Sequence, residues 1–173
     1  MTTISLLDKL QDHAFDMIKF GEAKNTVLIA FNGAIIVGMS KLANDTPNSV
    51  VHYYSIFVIS MCAISAFICF SALIAKIKDK PSDFFLPKND NPLFFATVAY
   101  MTQQELLEKL IKEYQCTNEN TNYEKDLARQ AIVTSQIASR KFKLFNIAIG
   151  FTFCGITTPI SILIYKLFLD HDK

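Results

Sequence analysis

The side chains with catalytic chemistry are scattered along this chain of 173 residues. His13, His52 and His171 lie in unrelated segments, so they assemble no recognisable catalytic constellation. The five glycines form no Gly-rich phosphate loop, and the four cysteines show neither a CxxC pair nor the Cys/His spacing of a zinc site. The sequence therefore predicts no catalytic residue, no metal site and no cofactor, and we expect the protein not to be an enzyme.

Long uncharged stretches are the most informative feature of the sequence. No Asp, Glu, Lys or Arg occurs in residues 25–40, 50–75 or 144–165. A helix rises about 1.5 Å per residue and a bilayer core is about 30 Å thick, so about 20 apolar residues span it. The second and third stretches are long enough, and the first is long enough if Lys24 and Lys41 anchor its ends. Three membrane-spanning helices are therefore predicted, at residues 25–42, 50–75 and 144–166.

A soluble all-helical domain is the alternative interpretation. A helix that is apolar on every side needs burial on every side, and a chain of this length cannot readily bury three such helices. The polar members of the stretch at residues 50–75 are mostly small hydroxyls and thiols, which a helix can satisfy internally in lipid. We therefore predict an all-α integral membrane protein with three transmembrane helices and a cytoplasmic helical domain between the second and third spans.

The distribution of basic residues predicts the orientation. Eleven of the seventeen Lys and Arg residues fall between Lys76 and Lys143, and basic residues border this segment at both ends. Because the cytoplasmic flanks of spans are enriched in Lys and Arg, residues 76–143 are predicted to form a cytoplasmic sensor or regulatory segment. Residues 1–24, predicted as an amphipathic helix, then lie on the same side. The formal net charge of +1 gives no reason to expect nucleic acid as a partner.

The cytoplasmic parts are predicted to be helical. Apolar residues at helical spacing in 5–20 form one face, which either packs on the central segment or binds the membrane surface. Thr102 and Glu105 show the pattern of a capping box. From Tyr123 no Gly or Pro occurs until the third span, so one helix is predicted to run from the cytoplasm into that span, with Pro159 kinking it.

Polar and small residues at the spans are candidates for membrane or pore function. Lys24 and Asn32 carry polar groups that are costly in lipid, so Asn32 is predicted either to hydrogen-bond between helices or to line a pore. Gly33 suits a close contact between helices. Three cations before the third span are predicted to mark the membrane surface and to interact with anionic lipid: Arg140, Lys141 and Lys143.

Two separated blocks of the sequence resemble the bacterial Pycsar effector family. The first is "AKNTVLIAFNGAIIVG" at Ala23–Gly38, where a lysine precedes an apolar run with an Asn-Gly-Ala element. The second is "NPLFFATVAYMTQQELLEKL" followed by "YEKDLARQAIVTSQIASRKFKLFNIAIG". It is similar to the family's cytoplasmic segment, with an aromatic pair, a short helix and a D-L-x-x-Q helix. The family usually has an acid immediately near the first lysine, and here Glu22 takes that place across Ala23.

The resemblance implies a function. Members of the family are small proteins of the bacterial inner membrane in anti-phage systems, where a neighbouring cyclase makes a cyclic pyrimidine nucleotide on infection and the effector damages the membrane. The chain is then expected to be a multi-pass effector that senses the nucleotide in its cytoplasmic segment. A homo-oligomer is also expected, because three spans alone enclose no channel.

A cyclic nucleotide offers one negative phosphate and a flat base, so its site needs a cation and aromatic rings. Under the resemblance, Arg129 with Gln130 is the candidate for the phosphate, against the alternative of a solvated helix face. Phe94 and Phe95 are candidates for stacking on the base, against the alternative of core packing or membrane-interface anchoring.

Two other functions stay open at this point. The chain could be a membrane-disrupting effector or toxin that a protein partner of a defence system holds silent. It could also be a structural membrane subunit with no toxicity. The sequence itself does not separate these from a nucleotide-gated effector.

Overall fold

The computed structural model describes residues 2–45, 49–74, 91–116 and 121–171, with side chains described as far as residue 158. All elements in these ranges are α-helices, in the order α1 (Thr3–Asp45), α2 (Ser49–Leu73), α3 (Phe95–Val98), α4 (Gln103–Tyr114) and α5 (Asn122–His171). The predicted boundaries that fall within residues 75–90 and 117–120 lie outside the described residues.

The chain divides into two compact units. Unit 1 combines Met1–Glu22 with Ala75–Phe142, and unit 2 combines Ala23–Ile74 with Lys143–Lys173. Helices α1 and α5 each contribute residues to both units. The predicted amphipathic helix at 1–24 and the predicted first span at 25–42 therefore form one continuous helix.

The apolar core of unit 1 joins the start of α1 to the central segment. Leu7, Leu106 and Leu110 are fully buried, and burying a leucine stabilises a fold by about 1.5–3 kcal/mol. Of the two interpretations of the N-terminal helix, packing on the central segment is the one that this core shows. The core comprises Leu6, Leu7, Leu10, Val98, Met101, Leu106, Leu110, Cys116, Leu127, Ala128, Ala131 and Ile132.

Capping boxes begin α4 and α5. The Thr102 side chain accepts a hydrogen bond from the Glu105 backbone N–H at 3.3 Å, and the Glu105 carboxylate accepts one from the Thr102 N–H at 2.8 Å. These bonds to Thr102 hold the pKa of Glu105 below its ordinary value. Thr121 and Glu124 form the same reciprocal pair at 3.3 and 3.4 Å. The first box was predicted, and the second has the same Thr-x-x-Glu pattern in the sequence.

Helix α5 continues without interruption from Asn122 to His171. The prediction of one helix running from the central segment into the third apolar stretch is therefore confirmed. Pro159 falls in the part of α5 whose side chains lie outside the described residues, so its predicted kink stays a prediction.

Small residues at heptad spacing pack α2 into unit 2. Its buried positions recur at intervals of three and four residues, which is the seam spacing of helices packed side by side. Small side chains along such a seam allow helices in a membrane to approach closely. The seam consists of Ser55, Val58, Cys62, Ser65, Cys69 and Ala72.

Two helices in the described residues are long and apolar enough to cross a membrane, α1 and α2. Only 11% and 28% of their most apolar windows are buried, unlike the core helices of a soluble protein. Large apolar side chains instead lie exposed on unit 2, including Val37 at 71% and Phe67 at 76%. The third predicted span, 144–166, extends beyond the described side chains, and the count of three stays a prediction.

Candidate functional site

An open groove of about 310 Å³ runs between α1 and α5 in unit 1. Two α1 residues one turn apart form one wall, and two such pairs on α5 form the other. The Gln11 amide Nε2 donates to Gln130 Oε1 at 3.3 Å, which ties the walls together. The lining residues are Gln11, Phe15, Arg129, Gln130, Val133 and Thr134.

The groove combines a cation with an aromatic face. Arg129 is exposed and forms no ion pair with any residue in the described ranges, so its guanidinium is available to an anion. Phe15 is 45% exposed and offers a ring surface beside it. The Gln11 and Gln130 amides add hydrogen-bonding groups. This arrangement is suited to a small anionic ligand that carries a flat ring.

The aromatic pair predicted to stack a base lies elsewhere. Neither Phe94 nor Phe95 lines the groove. The Phe95 ring instead lies 5.1 Å from Phe94, 5.7 Å from Phe142 and 6.4 Å from His13, between ring centroids. The structure therefore brings Arg129 and Gln130 together and places Phe94 and Phe95 in a separate aromatic cluster.

Phe15 is one of four groove residues that were not candidates from the sequence, with Gln11, Val133 and Thr134. It lies one turn after Gln11 on α1, beside the apolar face that packs on the central segment. The sequence carried no specific signal for Phe15, because a single exposed apolar side chain is normal on a protein surface. Phe15 could not be placed in one groove with Arg129 without knowing that α1 packs on α5.

A partly buried ion pair joins α1 to α5 within unit 1. The Lys141 ammonium lies 2.9 Å from Glu22 Oε1, with the lysine side chain 4% exposed and the glutamate 49% exposed. The neighbouring Gly21 permits this approach, because a Cβ there would lie 3.3 Å from the Lys141 Cβ. Of the three cations predicted at the lipid surface, Lys143 is exposed and Arg140 is partly exposed. Lys141 is buried, and its ammonium group binds Glu22.

A buried polar cluster joins all three helices of unit 2. Asn32 Nδ2 donates to Ser65 Oγ at 2.9 Å, and Thr152 Oγ1 donates to Asn32 Oδ1 at 2.8 Å. Ser65 Oγ donates to the Ala148 carbonyl at 2.7 Å. Asn32 and Ser65 are fully buried and Thr152 is 3% exposed. We call Asn32, Ser65 and Thr152 the polar cluster; in this structure Asn32 hydrogen-bonds between helices.

The remaining membrane candidates occupy different surroundings. The Lys24 ammonium lies 5.4 Å from the centre of the Phe145 ring, within the range of a cation–π contact. A Cβ at Gly33 would meet no atom within 4 Å in the described part of the chain. At Gly155, by contrast, a Cβ would lie 2.9 Å from the Met61 Cβ. The close helix contact in unit 2 is thus at Gly155 and not at Gly33.

The family model described as the Pycsar effector protein domain (PycTM) matches residues 6–168. The match extends from the start of α1 almost to the end of α5, so it includes the groove, the ion pair and the polar cluster. No curated protein and no solved structure matches the chain.

Proposed function

The chain belongs to the Pycsar effector family of transmembrane effectors in anti-phage defence, and we propose that it permeabilises the bacterial inner membrane when a cyclic pyrimidine nucleotide binds in the groove of unit 1. The observation that carries the proposal is the placement of Arg129 in that groove, beside Phe15 and without an ion-pair partner among the described residues.

The chemistry of the groove matches this ligand. A guanidinium binds a phosphate through charge-assisted hydrogen bonds, and an aromatic ring stacks on a base. The volume of about 310 Å³ lies at the lower end of the range for small-molecule sites, about 300–1,000 Å³. A mononucleotide is a ligand of suitable size for such a groove.

The continuity of two helices supports coupling of the ligand to the membrane. The groove is formed by α1 and α5, and both helices continue into unit 2. A ligand shifts a conformational equilibrium only by its differential affinity for the two states. The nucleotide therefore acts by binding more tightly to the arrangement of α1 and α5 that accompanies the active state.

Orientation and assembly complete the proposal. The basic borders of the central segment favour a cytoplasmic location for it and for the start of α1, where the nucleotide would be made. Because three spans enclose no channel, permeabilisation proceeds through a homo-oligomer. Three glycines that face open space in one chain offer surfaces for contact between copies: Gly33, Gly38 and Gly150.

Calorimetry on the purified full-length protein tests the ligand. Replacing Arg129 with alanine removes a charge-assisted contact worth about 1.5–3 kcal/mol, so the affinity for a cyclic pyrimidine nucleotide should fall about ten- to hundredfold. Lys112→Ala is the matched control, because this exposed cation lies on α4 outside the groove. Absence of binding by the unaltered protein would overturn the nucleotide trigger and leave gating by a protein partner as the better proposal.

A further inference from the structure

The polar cluster lies between apolar layers at the centre of unit 2. One helical turn away on each helix, Leu28, Cys69 and Ala148 pack together. On the other side, Gly155 allows α5 to approach Met61 of α2 closely. The amide and the two hydroxyls are thus enclosed by apolar contacts on both sides. Each must find its hydrogen-bond partner within the bundle, because lipid supplies none.

The hydrogen bonds of the cluster form one connected network. Asn32 donates to Ser65, and Ser65 uses its single hydroxyl hydrogen on the Ala148 carbonyl. Thr152 has two acceptors for its own hydrogen, Asn32 Oδ1 and Ser65 Oγ, each at 2.8 Å. Each hydroxyl hydrogen is used once, and every side chain in the cluster has a partner on another helix. The set is therefore complete only while α1, α2 and α5 stay in this arrangement.

We propose that the polar cluster is a lock that holds unit 2 closed, and that activation opens the bundle by exchanging these hydrogen bonds for water. This inference rests on the proposed function, because it concerns the step that follows ligand binding. In the closed state the three side chains satisfy one another at almost no exposure. In the open state water solvates the same groups, so a polar path through the membrane becomes favourable.

The proposed lock predicts that the effect on opening depends on how many of the three polar side chains are replaced. Deleting one hydroxyl leaves the group that it bonded, such as Asn32 Oδ1 for Thr152, buried without that partner in the closed state, whereas water satisfies this group in the open state. One deletion therefore favours opening. Replacing all three side chains with apolar ones of similar size removes the buried polar groups altogether, and a buried polar set exchanged in this way is often neutral or stabilising. Three deletions therefore favour the closed state.

Dye release from vesicles of phosphatidylethanolamine and phosphatidylglycerol measures the leak without any trigger. Thr152→Val keeps the branched shape and removes the hydroxyl, and it should raise the leak about three- to twentyfold. Thr157→Val is the matched control on the same helix, because the Thr157 hydroxyl donates only to the Phe153 carbonyl one turn away at 2.8 Å. A leak from Thr152→Val no greater than from Thr157→Val would overturn the lock.

The combined variant Asn32→Leu, Ser65→Ala and Thr152→Val should leak no more than the unaltered protein. A leak equal to that of Thr152→Val would overturn the lock, because the cluster would then contribute only packing. If Thr152→Val does not insert, Ser65→Ala takes its place, with Ser60→Ala as the control whose hydroxyl bonds only its own helix at 2.8 Å. If the nucleotide causes no dye release from vesicles with the unaltered protein, while Thr152→Val leaks without it, the nucleotide trigger is overturned and the lock is supported.

Discussion

The exposure of the two side chains in the Glu22–Lys141 ion pair determines how much its loss should destabilise the protein. Glu22→Gln removes the carboxylate that lies 2.9 Å from the Lys141 ammonium. Breaking a fully buried pair costs about 3–5 kcal/mol, and breaking an exposed pair costs about 0–1 kcal/mol. Because the Lys141 side chain is 4% exposed and that of Glu22 is 49% exposed, we expect a loss of about 1–3 kcal/mol in the free energy of unfolding.

Replacing the lysine of the pair should lower the free energy of unfolding by less. Lys141→Met keeps an apolar stem in the buried position and removes the charge, and it leaves a half-exposed Glu22 that water solvates. We expect a loss of about 0–1 kcal/mol. Asp16→Asn is the matched control on the same helix, because Asp16 and Lys19 form a pair at 3.4 Å with side chains 68% and 76% exposed. This control should change the stability by less than about 0.5 kcal/mol.

Unfolding of the full-length protein in detergent micelles, followed by the loss of helical circular dichroism, gives the three free energies. The predicted order of losses is Glu22→Gln, then Lys141→Met, then Asp16→Asn. If Lys141→Met costs as much as Glu22→Gln, the loss comes from packing rather than from a buried charge. If Glu22→Gln matches Asp16→Asn, the pair behaves as an exposed one. Either result would contradict a loss that arises from leaving the Lys141 charge buried without Glu22.

Two further predictions use the same unfolding measurement. Gly155→Ala forces a Cβ to within 2.9 Å of a methionine Cβ on α2 and should destabilise the protein by about 1–3 kcal/mol. Gly33→Ala adds a Cβ that meets no atom within 4 Å, so it should not lower the free energy of unfolding. Equal losses for the two variants would contradict the close helix contact at Gly155. The lowered pKa of Glu105 means that its capping box stabilises the fold at neutral pH and loses this contribution as the pH falls through that pKa. Glu105→Gln should flatten this part of the pH profile, and an unchanged profile would contradict the assignment.

Local features of the fold were predictable from the sequence because local chemistry determines them. The capping box at Thr102 needs only a Thr-x-x-Glu pattern, and the continuity of α5 into the third apolar stretch follows from the absence of Gly and Pro between Tyr123 and Gly150. The apolar face of the N-terminal helix predicted that it packs against another surface and left open whether that surface was the central segment or the membrane. In each case the signal lies within a few turns of one helix.

Contacts between helices were not predictable in the same way. Lys141 lies at the border of an apolar stretch, where lysine usually extends to the membrane surface, and its burial depends on the approach that Gly21 allows. Phe15 lines the groove only because α1 packs on α5. Phe94 and Phe95 were candidates by residue type, and their position depends on where α3 lies. The hydrogen-bond partners of Asn32 likewise depend on how three helices pack together.

Nucleotide-dependent permeability of vesicles that contain only this protein tests directly whether a ligand in the groove of unit 1 controls the membrane. Addition of a cyclic pyrimidine mononucleotide should release an entrapped dye, and a cyclic purine mononucleotide should release less. Arg129→Ala should insert normally and need about ten- to hundredfold more nucleotide for the same release. Release that is absent with every cyclic nucleotide, or that is unchanged in Arg129→Ala, would contradict the claim that a ligand in the groove of unit 1 controls the membrane.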